Sequence, residues 1–202
     1  MLIVHHRRNT VELLKDTDNA FGVEIDIRSY KDKLILHHDP FVDSVTFEDW
    51  LVHYNHKFLI LNTKEEGLEK EILALLDNHN ISNFFFLDQS FPFLIKTALS
   101  GERRTAVRVS NYESIETALS LSNLVEWVWL DVFKSFPISE QQFLQLQNSN
   151  FKLCLVSPEL QNHPEELIRY IQKFLNDSGL KLDAVCTKYP FKWSDNIMNN
   201  VY

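Results

Sequence analysis

The stretch Phe21-Gly22-Val23-Glu24-Ile25-Asp26-Ile27-Arg28, followed after a short turn by Lys33-Leu34-Ile35-Leu36-His37-His38-Asp39-Pro40, decides the reading of this 202-residue chain. Between Gly22 and Arg28 the apolar residues Val23, Ile25 and Ile27 alternate with Glu24, Asp26 and Arg28. A strand repeats every two residues, so both carboxylates lie on one face. Two carboxylates facing the same way invite a cation. The same alternation after Lys33 places His38 with Leu34 and Leu36 and His37 with Ile35 and Asp39, so one histidine of the pair shares the site.

Working outward, strand-like runs recur at residues 2–6, 22–28, 33–38, 58–64, 83–88, 105–109, 125–133, 151–157 and 183–189. Helical patterns separate most of them. Asn9 with Glu12 has the form of a capping box for a first helix, and Ser110 with Glu113 repeats it ahead of a helix through Leu121. Pro164 opens another helix that Gly179 closes. Shorter helices are predicted over residues 65–78, 91–100, 139–148 and 194–200. With residues 33–38 taken as a hairpin extension of the second strand, about eight parallel strands remain, the number that closes a (β/α)8 TIM barrel. The chain is shorter than the ~250 residues usual for that fold, so its loops are short. An open doubly wound sheet is the alternative, and no Gly-rich turn follows the first strand to support it.

Composition supports one domain over residues 1–202: a chain that is 45% hydrophobic and 12% aromatic can fill a sizeable core. A net charge of −8 argues against nucleic acid as a partner, and the apolar runs are too short for a transmembrane segment. The opening MLIVHHRR enters a strand at once rather than an apolar leader, which predicts a cytoplasmic protein. Cys154 and Cys186 lack metal-knuckle or redox spacing and read as buried free thiols.

In such a barrel the functional groups collect where strands end. Here the strands end in His6 and Arg7, Glu24 and Asp26, Asn62 and Lys64, Asp88, Arg108, and Asp131. Glu24, Asp26 and Asn62 offer hard oxygen ligands suited to Mg²⁺ or Ca²⁺. The two carboxylates have a second reading, an ion network with Arg7, Arg28 or Lys64. His6 and His38 beside them favour chemistry, since one imidazole can take a proton while another donates to a departing alkoxide. His5, His37, His53, His56, His79 and His163 read as structural. Arg7 as a fork and Lys64 as a point charge suit phosphate oxygens. Arg108 needs an anion, either a substrate phosphate or Asp88 or Asp131. Trp127 and Trp129 share a strand face and read as core.

Together these residues resemble the glycerophosphodiester phosphodiesterases, barrels related to the phosphatidylinositol-specific phospholipases C, over nearly the whole chain. His6-Arg7 is similar to that family's opening His-Arg-Gly, GVEIDIR to its Glu-x-Asp metal strand, and HHDP to its His-Asp motif, which selects His38. The stretches FLILNTKEEG, FFFLDQSFP, VRVSNYE, VWLDVF, LVSPEL and VCTKYP resemble a bacterial branch associated with surface polysaccharide biosynthesis. The resemblance implies that His6 and His38 act as general acid and base, that Arg7 binds phosphate, and that Glu24 and Asp26 bind a divalent cation. Three positions depart from it. Asn62 stands where those enzymes carry a third acidic ligand, which weakens cation binding. Arg8 replaces a glycine and adds charge and bulk, and Lys188 replaces an acid on the last strand, as a second phosphate contact or a salt-bridged strand end. The expected function is metal-dependent hydrolysis of a small-molecule phosphodiester: a glycerophosphodiester-like compound or a glycan- or lipid-linked one. The alternative is an impaired barrel that binds an anionic sugar phosphate or lipid headgroup.

Overall fold

The computed structural model describes residues 1–194. Its strands are β1 Leu2–His5, β2 Gly22–Tyr30, β3 Lys33–Leu36, β4 Phe58–Thr63, β5 Phe84–Leu87, β6 Ala106–Ser110, β7 Trp127–Asp131, β8 Lys152–Val156 and β9 Ala184–Thr187. The helices are α1 Val11–Lys15, α2 Phe47–Leu51, α3 Glu69–Asn78, α4 Phe91–Leu99, α5 Ile115–Ser120, α6 Glu140–Asn148 and α7 Glu166–Asp177. The strand order is β5-β4-β2-β1-β9-β8-β7-β6, with β3 attached to β2. Eight parallel strands interleaved with helices in this order are the (β/α)8 barrel class. The chain divides into two compact units, Val4–Thr105 and the remainder.

In the first unit, Val4 and His5 pair with Gly22 and Val23, and β2 pairs in parallel with β4 from Gly22↔Phe58 to Ile27↔Thr63. Gly22 is required by space, since a Cβ there would stand 3.0 Å from Val4 Cγ2 and 3.1 Å from the Phe58 backbone oxygen. The glycine thus lets three strands meet at the start of β2 and sets the register of every residue after it. Val23, Ile25 and Ile27 pack with Leu59, Leu61, Phe47 and Trp50 in one core. Glu24 and Asp26 alternate with them, as the period-2 reading requires, and are equally buried. The predicted hairpin is present, with β3 antiparallel to β2 through Ile27↔Leu36 and Tyr30↔Lys33.

In the second unit, β6 to β9 pair in parallel, and the Leu2 amide donates to the Asp183 carbonyl at 2.7 Å. Trp127 and Trp129 are buried, as are the two free thiols of Cys154 and Cys186. Helix α7 ends as expected: Gly179 takes a left-handed φ of +66°, and the Leu180 amide donates to the Leu175 carbonyl at 2.9 Å.

Several local expectations need correction. The first helix is capped by Thr10, whose Oγ1 accepts from the Leu13 amide at 3.2 Å, because Asn9 is drawn to Asp26 instead. Ser110 and Glu113 form a turn, with Ser110 Oγ accepting from the Tyr112 and Glu113 amides, and α5 begins only after Ser114. Helix α2 has no counterpart among the helical patterns of the sequence; Thr46 caps it, and burial of Phe47 and Trp50 holds its five residues. Apart from Ser194, the helix expected over residues 194–200 lies outside the described residues. Among the described residues no helix is long and apolar enough to cross a membrane.

Candidate active site

The two carboxylates of β2 are met from three directions. At the end of β1, Arg7 adopts a left-handed φ of +53°, an uncommon state for a residue with a side chain. Its amide donates to Glu24 Oε2 at 2.8 Å, while its guanidinium Nε stands 3.4 Å from Asp26 Oδ2. His6 Nε2 lies 3.9 Å from Glu24 Oε2. From β4, Asn62 pairs directly with Asp26 in register and turns its amide nitrogen to Glu24 Oε1 at 3.1 Å. Just past β4, Lys64 Nζ is 3.0 Å from Asp26 Oδ1 and 3.9 Å from Asp88 Oδ2. Asp88 also has positive φ, +59°, at the end of β5.

Asn9 completes this cluster, and its role was hidden by its resemblance to a helix cap. Its Nδ2 donates to Asp26 Oδ2 at 2.9 Å and its Oδ1 accepts from the Asp26 amide at 2.8 Å. The pair fixes Asp26 through both its side chain and its backbone.

The environment pushes the two acids apart. Burial, reinforced by the neighbouring Asp26 charge, pushes Glu24 up to about 7. Burial pushes Asp26 up as well, but the Lys64 ammonium, the Asn9 amide and Arg7 outweigh it and hold Asp26 below the usual carboxylate range. One acid is therefore held charged and the other is poised to exchange a proton near neutrality.

Strand β3 stops at Leu36, so strand alternation does not orient the histidines that follow; hydrogen bonds do. His38 Nδ1 meets Asp39 Oδ1 at 2.8 Å, whereas His37 Nδ1 meets the Asp39 backbone amide at 3.0 Å. The His38 carbonyl accepts from Arg28 Nε at 3.0 Å, and Arg28 Nη1 is 3.4 Å from Glu65 Oε1. Glu65 in turn accepts from the Ser29 amide at 3.1 Å and from its hydroxyl. Arg28 and Glu65 thus clamp the hairpin and the backbone that carries His38. The hydrogen bond from His38, with a smaller contribution from the Arg7 charge, holds Asp39 below the usual carboxylate range.

The Arg8 side chain meets His5, with Nη2 3.3 Å from His5 Nδ1. Its amide donates to the Glu24 carbonyl at 2.8 Å and its carbonyl accepts from Trp50 Nε1 at 2.9 Å. Partial burial, with Arg8 and His56 adding repulsion, lowers His5 to about 4. His56 and His163 bond to the Thr17 and Val132 carbonyls, the structural roles expected of them.

Arg108 and Lys188 belong to the second unit. Arg108 Nη1 is 3.5 Å from Asp131 Oδ2, and Gln161 donates to Asp131 Oδ1 at 2.7 Å. Lys188 is exposed after β9, with its amide donating to Glu159 Oε1 at 2.9 Å.

Among the described residues no three His, Cys, Asp or Glu side chains converge as a metal cluster. The oxygen donors are two carboxylates and an amide. Asn62 Oδ1 is buried without a hydrogen-bond partner, on the residue opposite Asp26, and Asp26 Oδ1 faces Lys64 as an ion pair. These are oxygens of the hard type a divalent cation takes, with one charge fewer than three carboxylates provide, and here the Asn62 amide nitrogen and the Lys64 ammonium face the two carboxylates.

No protein-family model matches the chain, and no curated protein matches it in sequence. Its fold neighbours among solved structures include glycerophosphodiester phosphodiesterases. One from Agrobacterium tumefaciens has a TM-score of 0.68 at 11% identity, covering 95% of this chain and 98% of that one. One from Parabacteroides distasonis has a TM-score of 0.67 at 13% identity, covering 100% and 87%. A candidate glycerophosphodiester phosphodiesterase from Galdieria sulphuraria has a TM-score of 0.72 at 17% identity, covering 98% of both chains. At these identities the likeness is one of fold.

Proposed function

We propose that this chain is a phosphodiesterase that splits a glycerophosphodiester-like compound, or a glycan- or lipid-linked phosphodiester, into a phosphomonoester and an alcohol. The observation that carries this reading is the convergence of Arg7, Lys64 and His6 on the buried pair Glu24 and Asp26. Arg7 binds a nonbridging phosphate oxygen through its guanidinium fork, and Lys64 adds a point charge held in place by Asp26 and Asp88. A neutral His38 whose Nδ1–H donates to Asp39 presents Nε2 as an acceptor, the state required of a general base. His38 takes the proton of the attacking oxygen nucleophile. His6, beside the Glu24 carboxylate, delivers a proton to the leaving alkoxide as the P–O bond breaks. Glu24, Asp26 and Asn62 would hold a divalent cation, Mg²⁺ or Ca²⁺, whose contribution is neutralisation of charge developing on the nonbridging oxygens.

A second reading, binding of an anionic sugar phosphate or lipid headgroup without turnover, is favoured by the Asn62 amide and the Lys64 ammonium. They satisfy Glu24 and Asp26 without a metal. A panel of phosphodiesters assayed with and without chelator separates the two. The phosphodiesterase reading expects cleavage that chelator abolishes and one cation restores, with a loss of roughly 10²-fold in His38→Ala. Unchanged rates in that variant would remove His38 from the mechanism, and anion binding without cleavage would establish the second reading. Asn62→Glu, titrated with Mg²⁺ or Ca²⁺, should tighten cation binding by roughly tenfold or more; unaltered affinity would exclude these oxygens as its ligands.

A further inference from the structure

Phe41 stands three residues beyond His38, in the sequence His37-His38-Asp39-Pro40-Phe41. Its side chain is 96% exposed, and its backbone has a φ of +64°. Among the described residues seven other non-glycine positions share that region; four are asparagines, and two of the rest, Arg7 and Asp88, sit at the strand ends of the candidate active site. Asparagine tolerates this conformation because its short amide bonds locally, whereas a bulky ring is a genuine outlier there. Pro40 and Phe41 are consecutive turn residues, the second in the conformation that glycine supplies at the second central position of a type II turn. An aromatic ring at this position therefore costs conformational energy and recovers none through burial in the free protein. Residues held in sparsely populated backbone regions cluster at active sites and ligand clamps.

The loop is joined to the phosphate-binding groups. His38 and Asp39 are hydrogen-bonded to each other, the Arg7 charge acts on Asp39, and Arg28 fixes the His38 carbonyl. Three residues reach at most ~11 Å, so Phe41 is within one substrate arm's length of His38. Asp39 and Asp43 flank Phe41 in the sequence, a charge pattern that disfavours an anionic bilayer or nucleic acid as its partner. Phenylalanine has no polar tip, so the surface it offers to an uncharged arm is apolar.

We infer that Phe41 is a specificity-determining residue that covers an apolar, acyl-like arm of the phosphodiester whose phosphate is held at Arg7, so that the preferred substrates are lipid-bearing diesters. The inference rests on the proposed phosphate site but does not require turnover.

Two probes with the same headgroup, glycerophosphocholine and a short-chain lysophosphatidylcholine kept monomeric, isolate the apolar arm. Calorimetric titration of the full chain should show the acylated probe binding roughly 10- to 30-fold more tightly, and Phe41→Ser should bring that ratio close to one. Phe41→Asn should do the same while keeping or raising Tm, because asparagine accepts the left-handed backbone. A Tm lowered by several degrees in Phe41→Asn would assign Phe41 a structural role and overturn the inference. It would also be overturned if wild type bound neither probe, if it bound both equally, or if the ratio were indifferent to residue 41. Equal monomer affinities together with Phe41-dependent sedimentation on phosphatidylcholine vesicles would replace it with a bilayer anchor. Phe41-dependent binding without cleavage would sink the phosphodiesterase reading and leave this one standing; cleavage at a ratio indifferent to residue 41 would do the reverse.

Discussion

Asp26 and Glu159 are both buried acids close to strand ends, and their surroundings differ in kind. Glu159 accepts from Ser157 Oγ, from Thr187 Oγ1 at 2.6 Å and from the Lys188 amide at 2.9 Å, and Ser157 accepts from Trp193 Nε1 at 2.9 Å. These donors are hydroxyls and N–H groups of the turns and strand ends it joins, so the network ties the chain together. Asp26 is instead held by Lys64, Arg7 and Asn9 beside a second buried acid, and Arg7 reaches it from a left-handed backbone. Ordinary hydrogen-bond donors around one acid make a tie. Cations gathered on two acids, one of them pushed toward neutrality, make a charged cluster of the kind that collects at functional sites.

The contrast breaks down unless the two acids respond differently to isosteric change. Asp26→Asn should lower kcat/KM for phosphodiester cleavage by roughly 10²-fold or more, because it releases Lys64 and Arg7 from their counter-charge. Glu159→Gln should lower Tm while leaving cleavage within about twofold, at a cost of roughly 1–3 kcal/mol for imperfectly paired buried groups. Comparable losses of activity in the two variants would erase the distinction.

A smaller effect is expected in the pH dependence of stability. Glu24 has a folded value raised to about 7, so its contribution to stability is present below its ordinary value near 4.5 and is lost as pH rises through 7. His5 has a folded value lowered to about 4, so its contribution is present above 6.5 and is lost as pH falls toward 4. The windows overlap and the slopes oppose, so wild type shows little of either. Glu24→Gln should leave stability rising with pH between 4 and 6.5, and His5→Asn should leave it falling between 4.5 and 7. The Glu24 effect is at most roughly 3 kcal/mol, and the His5 effect is weaker because solvent screens a half-buried ring. Denaturant melts across this range check both signs.

The smallest effect separates two neighbours. Thr10→Ala should cost about 1 kcal/mol through the lost helix cap, with cleavage unchanged. Asn9→Ala should reduce cleavage, because Asp26 loses both hydrogen bonds that orient it. Equal kinetic effects would mean that the pair acts only through α1.

How much of this was legible follows from the range of the interactions. Alternation along β2 exposed Glu24 and Asp26 directly, and the polar ends of β1 and β4 pointed to Arg7, Asn62 and Lys64, because register carries those positions into alignment. Asn9 and Thr10 are both good cap residues, and only the bond to Asp26, 17 positions away, decides between them. His38 was distinguished from His37 by resemblance as well as by alternation, but in the structure Asp39 makes the distinction. Helix α2 escaped because five residues carry little periodicity, and tertiary burial of Phe47 and Trp50 sustains it.

Trp50 gives that short helix a further consequence. It is the only tryptophan between Val4 and Thr105, and its indole N–H is bonded to the carbonyl of Arg8, the residue after Arg7. The indole thus tethers the backbone one peptide beyond the Arg7 and Arg8 amides that donate to Glu24. One of the chain's four tryptophans is thereby tied to the backbone between Arg7 and Asn9, an intrinsic fluorophore on that segment without any attached label.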